Sequence, residues 1–375
     1  MRLLYVVTGT NLAGAEMQVL QLARGMCGRG HDVQILSLAP EGPVAGLARD
    51  AGVPVHALGV RGPAGLLRAV SGVARHSATV RPDVLHSHLV HANLVARVSR
   101  ALRPVPVLIS TGHSVREGGR WSLPAYRVTD RLSDLTTNVS ARAVEQYRAR
   151  RAVPADKLRC VPNGLDLAAF DMAAGDRPAA RTDGTFRFIA VGRLEEAKDY
   201  PTMLDAFAQV VAAAPHARLD IVGEGRGLEA ARARVAELNL GGTVTFLGAR
   251  RDVPALLRDA DAYLMSSAWE GLPMVLLEAG AARLPVVATD VGSVSDAVRD
   301  GLSGVLVPPG DPVALARAAL HVLHLDPAPR RHMGDLGRAH VERHYGLDSV
   351  VDEWEGIYRG LLARRASQAH PWRKT

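Results

Sequence analysis

The stretch EGLPMVLLE sets two acids, Glu270 and Glu278, around an almost wholly apolar run. Pro273 is a natural first-turn residue, so a helix is expected to start near Gly271–Pro273. Glu270 then stands just before that helix, and Glu278 lies about a turn and a half inside it, ~8 Å further along at 1.5 Å per residue. The free amides of Gly271 and Leu272 would face an anionic or hydroxyl-rich ligand. The two carboxylates would accept hydrogen bonds from hydroxyls at opposite ends of an extended molecule. The same spacing is also met by a solvated loop acid followed by the polar edge of an amphipathic helix.

Other residues could share such a ligand. In VGRLEEAKDY, Gly192, Arg193 and Lys198 follow directly on a strand. A bidentate guanidinium and a point-charge ammonium five residues apart suit a diphosphate, though a solvated turn could carry the same cations. In LDIVGEGRG, Gly223, Gly225 and Gly227 follow another strand. Leu228 occupies the position after them, so the G-x-G-x-x-G dinucleotide fingerprint is incomplete. The stretch reads as a close-approach loop near a nucleotide.

These residues need a scaffold, and the hydrophobic rhythm supplies one. RLLYVV, HDVQILSL, VPVHAL, DVLHSHL, PVLIST and LTTNVS read as strands, with helices over 15–27, 66–80 and HANLVARVSRAL between them. Residues 163–186 break the rhythm with Gly, Ala, Asp and Pro. It restarts with FRFIAVG, a helix over 200–213, ARLDIVGEG, a helix over 228–238, VTFLG, a helix over 253–259, AYLMSS and PVVATD. Alternating strands and helices argue for an α/β chain with two parallel, doubly wound sheets. The expected division is 1–168, 169–338 and a helical segment over 339–375 packing back toward the N-terminal domain, with Trp354 and Tyr358 on its apolar stripe.

In combination, VGRLEEAKD, IVGEG, the Glu270/Glu278 pair and VATDVGSVSDAV followed by GLSGVLVPPGD resemble the donor-binding half of family-4 glycosyltransferases. TGTNLAGAE, DVLHSHLVHANLVAR, ISTGHS and VPNGLD resemble that family's acceptor half. The likeness runs in order from residue 1 to about residue 320. It implies a GT-B fold, two Rossmann-like domains facing a central cleft, and transfer from a nucleotide-sugar with retention. By the same resemblance Arg193, Lys198 and the backbone at Gly14 hold the donor diphosphate, and Glu278 holds the ribose hydroxyls. Glu270 is set against the transferred sugar, and His113 at a strand end contacts the reacting centre. Gly223 and Gly225 lie by the nucleotide, Gly271 and Leu272 by the sugar, and His86, His88 and His91 near the acceptor. Two departures appear: Gly14–Ala15 stands where the family often has two glycines, and Asp296 where it commonly has Glu. Asp259-Ala260-Asp261 spells a metal-binding DxD, but Asp259 closes a helix and Asp261 opens a strand. The family resembled needs no metal, so neither metal nor cofactor is expected.

The whole chain fits this reading. At 375 residues it is long enough for two domains. Cys27 and Cys160 lie far apart in the chain and outside any CxxC, which suits a reducing cytoplasm. The opening apolar stretch is too short for a signal peptide, and no window approaches a membrane span. Net charge is +7, and the excess sits in the first half: residues 1–180 hold 22 Lys/Arg against 13 Asp/Glu. Around WSLPAY, Arg116, Arg120, Arg127 and Arg131 with Trp121 and Leu123 could dock on an anionic membrane, on the inner face of the cell membrane. The expected partners are a nucleotide-sugar (a UDP-sugar) and a hydroxyl-bearing glycan or lipid-linked acceptor of polysaccharide or cell-envelope assembly. Few aromatics and no nucleic-acid motif speak against a nucleic-acid binder. A nucleotide-sugar epimerase or hydrolase on the same fold is the nearest rival. An NAD(P)-dependent oxidoreductase is disfavoured by the incomplete glycine fingerprint.

Overall fold

The computed structural model describes residues 1–62, 65–113, 119–173 and 184–369, the side chains at 120, 173 and 368–369 excepted. Arg116 therefore lies outside the described residues, as does the side chain of Arg120. The chain forms two compact units, one made of Met1–Leu165 with Leu347 onward and the other of Asp166–Gly346.

The first unit is built on seven strands: β1 (Arg2–Val7), β2 (Asp32–Ser37), β3 (Val55–Ala57), β4 (Val84–His88), β5 (Val107–Gly112), β6 (Leu135–Asn138) and β7 (Leu158–Cys160). They lie in the order β3-β2-β1-β4-β5-β6-β7, every pair parallel. Strand β1 runs in register with both neighbours, Val7 opposite Ser37 on one side and His88 on the other. Its five residues after Arg2 are all buried, as expected of a central parallel strand covered on both faces. One face is covered by α1 (Gly14–Gly28), α2 (Pro43–Asp50) and α15 (Leu347–Ala369), which share a core with Leu3, Tyr5 and Val7. The other is covered by α3 (Leu66–Val80) and α4 (Val90–Leu102), packed with Leu4, Val6 and Leu85. Two more helices, α5 (Ser122–Thr129) and α6 (Ala141–Ala149), bury Tyr126 and Tyr147 beside α4.

The second unit repeats the plan with six parallel strands: β8 (Phe186–Val191), β9 (Ala217–Val222), β10 (Val244–Gly248), β11 (Ala262–Met265), β12 (Val286–Thr289) and β13 (Gly304–Val307). Their order is β10-β9-β8-β11-β12-β13. Around them lie α7 (Ala168–Ala173), α8 (Tyr200–Ala213), α9 (Leu228–Glu237), α10 (Val253–Arg258), α11 (Met274–Ala281), α12 (Val294–Ala297), α13 (Pro312–His324) and α14 (Pro327–Tyr345). Both units are thus Rossmann-like. Each has one place where strand order reverses, β1/β4 in the first and β8/β11 in the second, and ligands of such sheets bind there, beyond the carboxyl ends of the strands.

Local reasons for the elements are legible. Helix α8 starts at Asp199, whose carboxylate accepts from the Thr202 amide (3.3 Å) and hydroxyl (2.7 Å), with Pro201 in the first turn. Two expectations shift. The helix after Glu270 begins at Met274, and Pro273 precedes it in an extended conformation. The C-terminal helical segment is two helices, interrupted at Gly346, and only α15 belongs to the first unit. A continuous apolar stripe hides such a break, since periodicity does not register a single glycine.

Candidate functional site

In the second unit, the loops after β8 and β11 leave from either side of the strand-order reversal and are tied together. The Ser266 hydroxyl lies 2.8 Å from the carbonyls of both Lys198 and Asp199, and the Ala268 amide donates to the Ala197 carbonyl at 2.9 Å. Between them Lys198 Nζ reaches Glu270 Oε1 at 2.5 Å, and the Ser267 hydroxyl donates to the same oxygen at 2.7 Å. Both charged side chains are largely buried, at 20% and 14% exposed. Two residues assigned to adjoining parts of a donor, Lys198 to the diphosphate and Glu270 to the sugar, therefore meet in a charge-assisted pair. Gly192 lets the lysine through, because a Cβ there would stand 3.1 Å from Lys198 Cε.

Arg193, on the same loop, is exposed and pairs with no acid among the described residues. Above Glu270, Gly292 adopts a left-handed φ of +61°, and a Cβ on it would come within 2.2 Å of the Glu270 carbonyl oxygen. The Ser293 amide donates to the Gly271 carbonyl at 2.9 Å. The amides of Gly271 and Leu272 find no acceptor among the described residues.

Glu278 sits on the second turn of α11, partly buried, and no described residue donates to its carboxylate. Burial alone pushes this carboxyl up to about 7. A desolvated carboxylate without a donor is a group poised for hydroxyls supplied from outside the protein.

The glycines 223, 225 and 227 have a more local reason. A Cβ on Gly223, which has a φ of +138°, would come within 2.0 Å of the Gly192 carbonyl oxygen. One on Gly225 would lie 2.3 Å from the carbonyl oxygen of Leu194, and one on Gly227 3.0 Å from the same atom. The loop is glycine-rich because two backbones touch, and that contact holds the Arg193–Lys198 segment in place. The two aspartates of the DxD are engaged separately: Asp259 Oδ1 with Arg258 Nε at 2.8 Å, and Asp261 Oδ2 with the Arg187 amide at 2.9 Å. Among the described residues, no group of three His, Cys, Asp or Glu is arranged to hold a metal.

The first unit places His113 directly after β5, where its Nε2 lies 3.1 Å from His88 Nδ1. Burial holds the His113 imidazole down at about 4, and holds His86 and His88 well below the ordinary histidine value. All three are neutral at physiological pH, so one ring of the His88–His113 pair donates and the other accepts. His86 departs from the strand-end expectation. It is fully buried in β4, with Nδ1 2.7 Å from the Tyr358 hydroxyl and Nε2 2.6 Å from Thr111 Oγ1. Residues at i and i+2 share one face of a strand, and α15 covers that face. His88, which sequence reasoning placed only loosely, is the histidine that touches His113.

Gly14 opens α1 in free space, where a side-chain methyl would meet no atom within 4 Å. Beside it, a cavity of about 330 Å³ at the β1/β4 reversal is lined by Thr8, Gly9, Asn11, Glu16, Leu89 and His91, among others. Leu89 holds a φ of 74° and a ψ of 149°, a region that belongs to glycine.

The basic face changes character. Arg127 donates to the Arg151 carbonyl at 2.8 Å and to the Arg150 carbonyl at 2.5 Å, Arg97 is buried among Ser110, Tyr126, Thr129 and Thr136, and Leu123 packs inward against the Tyr126 cluster. Arg97 and Arg127 thus serve the fold, while Arg131 stays exposed. Trp121 alone of the apolar pair stays half exposed. No helix among the described residues is long and apolar enough to cross a membrane.

Comparison with known proteins agrees with this geometry. Residues 12–169 match the family described as Glycosyltransferase Family 4, and residues 176–340 match Glycosyl transferases group 1. The chain is 31% identical to a D-inositol 3-phosphate glycosyltransferase of Acidothermus cellulolyticus, across 95% of this chain and 87% of that one. It is 32% identical to the protein of that name from Geodermatophilus obscurus, across 95% and 85%. Among solved structures, Anabaena HepE in complex with UDP superposes with a TM-score of 0.83 at 20% identity, covering 96% of this chain and all of that one. HepE with UDP-glucose gives 0.81 at 20% identity, with the same coverage.

Proposed function

The chain belongs to the group 1 glycosyltransferases of family 4, and from that premise we propose that it moves a sugar from a UDP-sugar to a hydroxyl acceptor with retention of configuration. The observation that carries the reading is the Lys198–Glu270 pair at the β8/β11 reversal, with Arg193 unpaired beside it and the Glu278 carboxylate without a donor. A donor diphosphate takes Arg193 and draws Lys198 from Glu270. The released carboxylate then faces the transferred sugar, the Gly271 and Leu272 amides meet the sugar's oxygens, and Glu278 accepts from the ribose hydroxyls. Gly223 and Gly225 act through the loop they hold, and the α1 start at Gly14 approaches the diphosphate. His113, neutral, serves as a hydrogen-bonding group rather than a cation. The diphosphate itself helps deprotonate the acceptor, so the protein's contribution is to position both substrates and stabilise leaving-group charge.

HepE's capture with UDP and UDP-glucose supports the choice of base. We place the enzyme in the cytoplasm, on the inner face of the membrane, in polysaccharide or cell-envelope glycan assembly. An epimerase or hydrolase on the same fold is not favoured. The direct test is incubation with UDP-sugars and hydroxyl acceptors in the presence of EDTA, with the anomeric configuration of the product read by NMR. An α-linked product from an α-linked donor, formed at an undiminished rate, is expected. Inversion, or nucleotide release that is indifferent to acceptor, overturns the reading. A strict need for Mn²⁺ or Mg²⁺ returns Asp259 and Asp261 to consideration.

The cations make a second prediction. Arg193→Ala or Lys198→Ala should weaken UDP binding by ~1.5–3 kcal/mol, the usual worth of a charge-assisted contact, while leaving uridine binding unchanged. Calorimetric titration with both ligands measures this, and equal losses for UDP and uridine would move the cations out of the site.

A further inference from the structure

Strand β4 ends at His88 and α4 begins at Val90, so a single residue, Leu89, carries the chain from one to the other. Its φ of 74° and ψ of 149° lie outside the left-handed helical well. Arg81 (φ 50°, ψ 58°) and Asp199 (φ 45°, ψ 52°), at the ends of α3 and α8, occupy that well. Starting a helix after a strand does not require such a conformation. Between β6 and α6 the chain uses two residues, Val139 and Ser140, and Ser140 is ordinarily extended with a φ of −138°. Leu89 is clamped at both of its peptide groups. Its amide donates to the Thr111 carbonyl at 3.0 Å, and its carbonyl accepts from the Asn93 amide at 2.9 Å. The Asn93 side chain donates to the same Thr111 carbonyl at 2.9 Å, so β5, α4 and the junction are tied at one oxygen. Strain of this kind persists only where the surroundings over-determine it, and it gathers at functional sites.

We propose that Leu89 is a positioning residue for sugar transfer: its strained backbone holds His88 against His113 and fixes the start of α4 beside the cavity at the reversal. The first unit is less stable for it. What the short junction secures lies on either side of Leu89. His88 stands opposite Thr111 in the β4–β5 ladder, with its Nδ1 3.1 Å from His113 Nε2. Val90 and His91, the first residues of α4, line the cavity. A second junction residue would relieve the strain, but it would also let the strand end and the helix start move independently. Leu89 acts through its backbone and through these neighbours. The proposal deepens the glycosyltransferase reading and rests on it, since His113 contacts the reacting centre only under that reading.

The test compares Leu89→Gly and Leu89→Ala in the full-length chain. Both remove the leucine's contacts, and only glycine removes the strain. Where φ is negative, glycine is the less stable of the two because it frees the unfolded chain. Here the order should reverse, with Leu89→Gly melting several degrees above Leu89→Ala. An alanine variant that fails to fold beside a glycine variant that folds gives the same order. Transfer should run the other way. The kcat of Leu89→Gly should fall about fivefold below that of Leu89→Ala, the scale of one hydrogen bond, with KM for the UDP-sugar unchanged. A residue with a merely structural role would move stability and rate together. The proposal is overturned if Leu89→Ala is at least as stable as Leu89→Gly, if the two turn over at the same rate, or if neither folds. Melting needs no substrate, so the two readings separate. Wild-type protein that transfers no sugar defeats the glycosyltransferase reading, while the melting order still reports on the strain.

Discussion

Glu270→Ala should reduce transfer by ~10²–10³-fold, the scale of losing a group that acts on the reacting centre, while UDP affinity holds or rises slightly. The asymmetry comes from the pairing of Glu270 with Lys198 and Ser267. Without Glu270 the ammonium no longer has a carboxylate to leave when a diphosphate arrives, so the diphosphate gains a partner at lower cost. Glu270→Gln keeps a hydrogen-bonding group for Ser267 and separates loss of charge from loss of shape. Initial rates and a UDP titration on the same preparations measure both quantities. A matching loss of UDP affinity in the Glu270 and Glu278 variants would show that the two acids do not divide the donor between them.

Glu278→Gln should do two opposite things: make the second unit more stable above neutral pH and make donor binding weaker. The carboxyl is pushed up to about 7 in the folded protein, against an ordinary value of 4.5. The folded state therefore binds its proton more tightly than the unfolded state does. Stability is full below about pH 4.5 and is lost as pH rises from there through 7. At pH 8 the ionised, desolvated carboxylate costs on the order of 2–3 kcal/mol, which the neutral amide removes, so the melting temperature of the variant should exceed that of wild type by several degrees. At pH 4.5 the two should melt together. Binding runs the other way, because only the carboxylate accepts from both ribose hydroxyls. Wild-type affinity for UDP-glucose, whose diphosphate does not titrate in this range, should fall as pH drops through 7 toward the level of the variant. Affinity that stays flat between pH 6 and 8 would remove Glu278 from the ribose.

The two predictions differ in how much of them can be read from residue order. The strands and most helices are legible because their apolar periods are strong: α8 falls at Tyr200–Ala213 and α3 at Leu66–Val80, as the pattern predicts. The edge strand after α6 is not. Strand β7 has three residues, and only Leu158 is buried, too little for any period to show. The chemical types at the donor end are equally legible, since Arg193, Lys198, Glu270 and Glu278 stand at strand ends or helix starts. Their mutual arrangement is not. Lys198 and Glu270 are 72 positions apart, and they meet because β8 and β11 are neighbours across the reversal, a fact of strand order alone. The glycines of GEGRG announce a close approach, but the approaching partner is the backbone at 192–194. His86 escapes the sequence because alternation along a strand says which residues share a face and not which face a distant helix will cover.

That distant helix has a consequence for how the protein comes into being. Val350, Val351, Trp354, Ile357 and Tyr358 of α15 complete the core of the first unit, and the Tyr358 hydroxyl bonds His86 and lies 3.3 Å from that of Tyr5. During synthesis, β1 leaves the ribosome long before α15 and waits for the whole of the second unit before its last covering layer appears. The second unit, Asp166–Gly346, is contiguous and has all its parts before then. Units generally fold as they emerge, yet here the half made first is finished last. Until α15 arrives, Tyr5 and His86 lack the Tyr358 hydroxyl and the apolar cover of Trp354, so this part of the first unit is completed only after the second unit has been made.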